Sequence, residues 1–566
     1  MTRVPRTSLL VLAMALVSTA CVTTAPSPGA TTDAARPLGQ PKILTLSLEG
    51  EPEMLFSSLF GQGTDPGNSL KRGLHQKLAV YDGSGAVVPQ LATDLPSQSA
   101  GTWITRPDGT MQTTYPLRRD VTWHDGALLT ARDFQFAWAI YVDPALPMAN
   151  RSLASKISAI DTPDDYTLVI QWKTTYPFAN AIDEDDLGPM PYHLLNSLYE
   201  QDRDQFARST WFNREFVGVG PYRLAEWMPG SQLTLQAYDR FYRGRPHIDT
   251  IIGKFIPSNP TVVANLLAGA IDGTLGTAGF TDMMVARREW EAAGKKPMLQ
   301  LQVGGWRMLS VQFRPELAAP REILDLRLRR ALLMAIDRQA MSDTLFEGLA
   351  PVSHSIIPPT DVKWDWVREV AATYSHDQRR ASEQLASFGW PRGADGLWTS
   401  AGEPVATSLW TTTGEREIAI VADYWKAIGI STNLTVLGEA LTRDIKLRAS
   451  YPGFDFTRIP IAFENMLNRT YSAQCPSEQN RWIGNNRGCY QNAANDRVID
   501  ALRIAIDPDE QRRLYRDLIK GQTEDLPVLP LYFDVSAWLL REGIVGPNVT
   551  SEKSGLLWNV ETWDIR

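Results

Sequence analysis

The chain has 566 residues, 43% of them hydrophobic and 21% charged, with a formal net charge of −8. That composition is globular and the length exceeds what one hydrophobic core organises, so two or three lobes are expected. An acidic balance with no long basic stripe or RNA-binding motif argues against a nucleic-acid partner. The six histidines (His75, His124, His193, His247, His354 and His376) are scattered and never reach metal-ligand spacing.

In chain order, the first segment is an export signal. Arg3 and Arg6 form a positive start, Leu9 to Val17 an apolar run, and Ser18-Thr19-Ala20 a small-residue cleavage site before Cys21. The run is far short of the roughly 20 residues a permanent bilayer span needs. Loss of residues 1–20 removes two arginines and no acids, moving the net charge to about −10. Val22 to Gln40, rich in Thr, Ala, Pro, Ser and Gly, cannot bury enough surface to order itself and is expected to be a flexible tether.

Leu78 to Pro96 (LAVYDGSGAVVPQLATDLP) is a strand, a turn and an entry segment. Thr113 to Leu117 alternates as a strand, Asp125-Gly126 is a tight turn, and Thr130 is an N-cap with Asp133 as its capping-box partner. Phe134, Ala137, Trp138 and Tyr141 follow at helical spacing. Gly218 and Gly220 permit a turn before a hairpin built around Pro229-Gly230. LLAGAIDG (Leu266 to Gly273), LRLRRALLMAIDRQAM (Leu326 to Met341) and Ile357-Pro358-Pro359 come next. YSHDQRRASEQLASFGW, REIAIVADYWKAIGI and DEQRRLYRDLIKGQTEDLPVLPLY carry the pattern toward the C-terminus. Cys475 and Cys489 are the other two cysteines; in an oxidising exported compartment they are expected to pair.

These segments, in this order, resemble the family 5 solute-binding proteins, the oligopeptide, dipeptide and nickel receptors of ABC importers, over roughly Pro41 to Arg566. The resemblance implies an α/β fold of the two-lobed periplasmic-binding type (type II, cluster C-like) with an inserted subdomain. Lobe I would comprise 41–72, 206–303 and 526–566, with 73–205 inserted, and lobe II would be 304–525. Ala20-Cys21 resembles a lipobox, which implies an acylated Cys21 at the mature N-terminus, a lipid anchor, and residence in the periplasm or on the outer face of the cytoplasmic membrane. A monomer presenting its solute to permease subunits is the implied partner arrangement.

Peptide-binding members typically have a segment resembling Trp-x-x-Asp-Tyr-x-Asp-Pro, whose first Asp pairs with the peptide ammonium. Here Tyr451 to Cys475 stands in its place, without the Asp-Tyr-x-Asp-Pro. Pro460 to Phe463 replace the expected Trp and Asp, and Glu464 is the nearest carboxylate. Either Glu464 anchors a cation, or the ligand carries no ammonium there. Arg458 could answer a carboxylate or phosphate. Trp306, Trp410, Phe463 and Trp482 are candidate aromatic faces for a ligand, with core packing the competing role for each. No catalytic residue, cofactor or metal is expected, since the signatures of zinc proteases, serine-hydrolase elbows and phosphate loops are missing. An exported carbohydrate-active hydrolase with two carboxylates across a cleft, and a surface chaperone or adhesin, are the alternative functions.

Overall fold

The computed structural model describes residues 40–56, 70–147, 151–182, 187–276, 279–551 and 553–566. Two unusually long antiparallel strands, Met298–Val311 and Val528–Leu540, organise it. They pair with each other along nearly their whole length, and their register slips between Val303 and Gly305 and again between Arg307 and Met308. On one side of this ribbon, Gly305 to Val311 pairs with Phe454–Pro460, which is followed by Ala406–Thr411 and Ser431–Val436. On the other side, Leu540 pairs with Gly273, and the sheet continues through Ile43–Leu48, Thr250–Phe255, Gln232–Ala237 and Tyr222–Met228. The result is one ten-stranded mixed sheet.

Each half contains parallel strands bridged by helices. Ala406–Thr411 and Ser431–Val436 run parallel, with helix Glu415–Ala427 between them in sequence; its Ile418, Val421 and Trp425 are buried. Ile43–Leu48 lies between Thr250–Phe255 and Gly273–Thr274 and is parallel to both. Leu44, Leu46 and Leu48 are buried, as expected for an inner strand covered on its faces.

A separate four-stranded sheet, Trp103–Thr105, Met111–Pro116, Thr167–Trp172 and Ile157–Asp164, lies within the segment read as an insertion. Here the capping box forms as expected. The buried Asp133 carboxylate accepts the Thr130 N–H at 2.8 Å and the Tyr192 N–H at 2.9 Å, and helix Ala131–Val142 follows with Phe134, Ala137 and Tyr141 inward. Gly230, at φ 70°, supplies the left-handed residue of the expected hairpin turn.

Gly218 and Gly220 serve a different purpose from the turn expected of them. A Cβ at either would sit 2.1 Å from the Leu74 oxygen or 2.3 Å from the Leu74 carbon, so these glycines let two backbones touch. His124 fastens the same contact. Its Nδ1 accepts the Gly218 N–H at 3.1 Å, which leaves Nε2–H to donate to the Gly220 carbonyl at 3.0 Å. Both ring nitrogens are satisfied by a neutral imidazole, and burial lowers the His124 pKa to about 4.

The arginines of the Leu326 to Met341 segment are also structural. Arg329 donates to the carbonyls of Ile323, Leu324 and Asp525, and Arg338 to those of Ser353, Pro530 and Tyr374. Each guanidinium ties its helix to main-chain carbonyls of neighbouring segments.

Candidate functional site

A hollow walled by aromatic rings has a volume of about 790 Å³, inside the range typical of small-molecule sites. Its wall is assembled from segments distant in sequence. Tyr81, Trp103, Tyr176 and Phe178 come from the first third of the chain, and Gln302 from the long strand before the register slip. Asp361, Lys363, Trp366, Phe463 and Tyr515 come from the later part, and Lys553 and Ser554 from the C-terminal segment.

A file of rings crosses this hollow. Tyr176 stacks on Trp172 at 5.2 Å and meets Phe178 edge-on at 5.8 Å. Phe178 contacts Phe463 edge-on at 4.8 Å, and the file continues through Tyr515 to Trp366. Such edge-to-face pairs contribute about 0.5–1.5 kcal/mol each beyond burial, enough to align surfaces and weak enough to part.

Among the charged side chains lining the hollow, Asp361 is almost fully buried. It accepts the Lys553 ammonium at 3.0 Å, and Lys363 lies 3.8 Å away. Burial pushes this carboxyl up, but the two lysines outweigh it and hold the group below the usual carboxylate range. Gln302 Nε2 donates to the Ser551 carbonyl at 2.9 Å and to that of Ser554, fixing the same C-terminal segment. The walls thus offer flat apolar faces, amide groups and a lysine-paired carboxylate, a set suited to holding an organic molecule.

Among the sequence-derived candidates, Phe463 lines this hollow; the others lie elsewhere. Trp306 is 1% exposed, donates to Ser353 Oγ at 2.8 Å and packs with Met308, Ile459 and Phe533. Arg458 folds over Gly304-Gly305, where a Cβ at Gly305 would meet its guanidinium carbon at 2.8 Å, and binds Asp534 through Nε at 2.7 Å. Arg307 Nε shares the same carboxylate oxygen at 2.7 Å. Glu464, mostly exposed, is paired with Arg503 at 3.0 Å. Trp410 is half-buried and is the register partner of Asp455.

Trp482 lines a second, open hollow of about 910 Å³ with Arg314, Lys446, Cys475 and Cys489. Both cations lie over its ring, at 5.9 and 5.1 Å. Cys475 and Cys489 form a disulfide that closes this loop. Cys21 lies outside the described residues.

Sequence reasoning missed Tyr81, Trp103, Tyr176, Phe178, Asp361, Lys363 and Lys553. The two aromatics around Pro177 were a usable cue, since a loop has no core of its own in which to bury them. Nothing local marks Lys553 as the partner of Asp361. Among the described residues, no cluster of His, Cys, Asp or Glu could hold a metal ion, and no helix is long and apolar enough to cross a membrane.

Residues 86–472 match the model of the bacterial extracellular solute-binding proteins, family 5, middle region. The chain is 24% identical over 533 residues to the oligopeptide-binding protein AppA of Bacillus subtilis, covering 91% of this chain and 90% of AppA. In three dimensions it is similar to HbpA2 of Haemophilus parasuis, with a TM-score of 0.73 and 17% identity over 93% of this chain and all of HbpA2. It is also similar to NikZ of Campylobacter jejuni solved with Ni(L-His), with a TM-score of 0.65 and 20% identity over 93% of this chain and all of NikZ. The fold is that of the two-lobed α/β binding proteins. With well over half of its length matched, the chain belongs to the bacterial extracellular solute-binding proteins of family 5.

Proposed function

We propose that the hollow walled by Phe178, Phe463 and Tyr515 is where this chain holds its solute. The chain is the solute receptor of an ABC importer; the hollow, the residues and the mechanism are our reading. The observation that carries it is the Phe178–Phe463 contact at 4.8 Å, because these rings come from residues assigned to opposite lobes. The lobes we assign are 41–303 with 526–566, and 304–525. Their boundary is supported by the register slip beside Gly304, where a break in the ladder lets a two-stranded ribbon flex.

In this mechanism the solute slides between the rings and bridges the lobes. It stabilises the closed state only to the extent that it binds that state more tightly than the open one. The receptor then presents its load to the permease without chemical turnover, as a monomer anchored through an acylated Cys21 on the outer side of the membrane. The family contains receptors named for oligopeptides and for heme, such as AppA and heme-binding protein A of Haemophilus influenzae. For this chain we propose a peptide-like or other small organic solute.

Native mass spectrometry of protein purified from its own envelope tests the assignment. A non-covalent mass should accompany the wild type and be lost from the Phe463→Ala, Tyr515→Ala double variant. Its retention by the folded double variant would move the site elsewhere. Acyl-chain labelling that survives Cys21→Ala would remove the anchor.

A further inference from the structure

A second charged cluster lies on the far part of the sheet, independent of the aromatic hollow. Asp455, in the middle strand of its half of the sheet, is 3% exposed. The nearest cation is Arg487, whose NH1 is 3.6 Å from Asp455 Oδ2. Arg448 and Arg469 also act on this carboxylate electrostatically. Three guanidinium groups therefore act on one carboxylate, Arg487 at ion-pair distance.

Hydrogen bonding does not absorb the excess. Arg469 NH1 donates to the Asn485 carbonyl at 3.3 Å, while its Nε is buried with no partner among the described residues. Arg487 NH1 and Asp455 Oδ2 are the two ends of the 3.6 Å ion pair and, among the described residues, neither makes a closer hydrogen bond. Arg314, the next arginine, is already committed to the carbonyls of Ala449, Arg487 and Pro476. Burial, reinforced by Arg487, brings Arg469 down to about 10, so it stays charged at neutral pH. Burial also pushes the Asp455 carboxyl up, against the pull of Arg487, Arg448 and Arg469.

Excess positive charge taken out of water is unfavourable unless an anion answers it. Guanidinium forks match oxyanions in geometry, offering paired N–H donors to two oxygens. Arg448 is half-buried and the Arg487 side chain is 19% exposed, so the cluster is open to solvent on one side. Trp410 is paired in register with Asp455 on the neighbouring strand, so the two side chains leave the sheet on the same face.

We propose that Arg448, Arg469 and Arg487 around Asp455 form an oxyanion-binding site, distinct from the aromatic hollow, that takes an inorganic phosphate-like anion or the carboxylate of a small acid. Asp455 answers part of the positive charge, and the bound oxyanion supplies the negative charge the cluster lacks.

Thermal unfolding of the mature protein, with inorganic phosphate or succinate replacing chloride at fixed ionic strength, tests the site. Wild-type protein should show a saturable rise in Tm with at least one of them. A larger response to phosphate assigns an inorganic oxyanion, and a larger response to succinate assigns a carboxylate; either supports the site. Arg448→Gln, at a half-exposed position that spares the fold, should weaken the apparent affinity at least tenfold, and Asp455→Asn should strengthen it by removing the competing acid. Equal responses to phosphate, succinate and chloride, or an unchanged response in Arg448→Gln, would overturn the proposal. So would an Asp455→Asn protein that folds and responds no more strongly than the wild type, because Asp455 would then not compete with the anion for the arginines.

Discussion

The contact among Leu74, His124, Gly218 and Gly220 and the contact between Phe178 and Phe463 differ in kind. In the first, backbone lies on backbone, and a histidine with both nitrogens occupied locks the approach. In the second, ring edges meet ring faces around a hollow, with the Asp361–Lys553 ion pair beside them. The first arrangement has no slack, because an added methyl group would overlap main-chain atoms that cannot move separately. The second can open, repack or accept a different ring at modest expense. His124, Gly218 and Gly220, which lie in segments carrying the family pattern, belong to the first kind, and the rings proposed to hold the solute belong to the second.

The sharpest way to break this comparison is Gly220→Ala. Its Cβ would fall 2.3 Å from the Leu74 carbonyl carbon, so a loss of 3 kcal/mol or more in urea unfolding is expected. A loss below 1 kcal/mol would mean that the backbone contact yields.

Acid should act on the same region. His75 and His124 are buried and neutral, with pKa values lowered by burial to about 3 and about 4. An unfolded histidine takes up a proton below about 6.5, while these two resist. Their contribution is therefore intact above about pH 6.5 and is lost progressively as the pH falls toward 4, reaching about 2 kcal/mol for each at pH 5. A His124→Gln variant should show a shallower decline of Tm between pH 7 and 5 than the wild type; parallel curves would remove His124 from the effect.

Asp361 titrates lower. Its stabilisation is present above the unfolded carboxylate value near 4 and is lost as the pH falls through the lower folded value. Asp361→Asn should cost about 1–2 kcal/mol at pH 7, because Lys363 and Lys553 lose the charge that answers them, and the difference from the wild type should vanish in strong acid. A difference that persists there would assign the effect to packing.

A similarly small effect on stability, about 1–2 kcal/mol, is expected of Phe463→Ala, since the ring is only half-buried. Its loss of solute should far exceed that. A variant as unstable as Gly220→Ala would place Phe463 with the rigid contacts and erase the distinction.

Sequence patterns determined the parts governed by neighbours along the chain. The Thr130–Asp133 capping box, the helix after it and the Pro229-Gly230 hairpin turn form from contacts between residues a few positions apart, so their signals are local. The pairing of Cys475 with Cys489 was legible because few partners were available. Family membership was legible because many such local signals recur in order.

Tertiary structure decided what depends on residues far apart in sequence. It sends Trp306 into a core and commits Arg458 to Asp534, 76 positions away. It couples Glu464 to Arg503, and it brings Lys553 to Asp361 across 192 positions. A tryptophan is equally suited to a core or a binding wall, and an arginine to a partner within the chain or a ligand outside it. Only the packing of strands and loops around the two long strands fixes which of these each residue meets, because burial and charge pairing are set by neighbours in space.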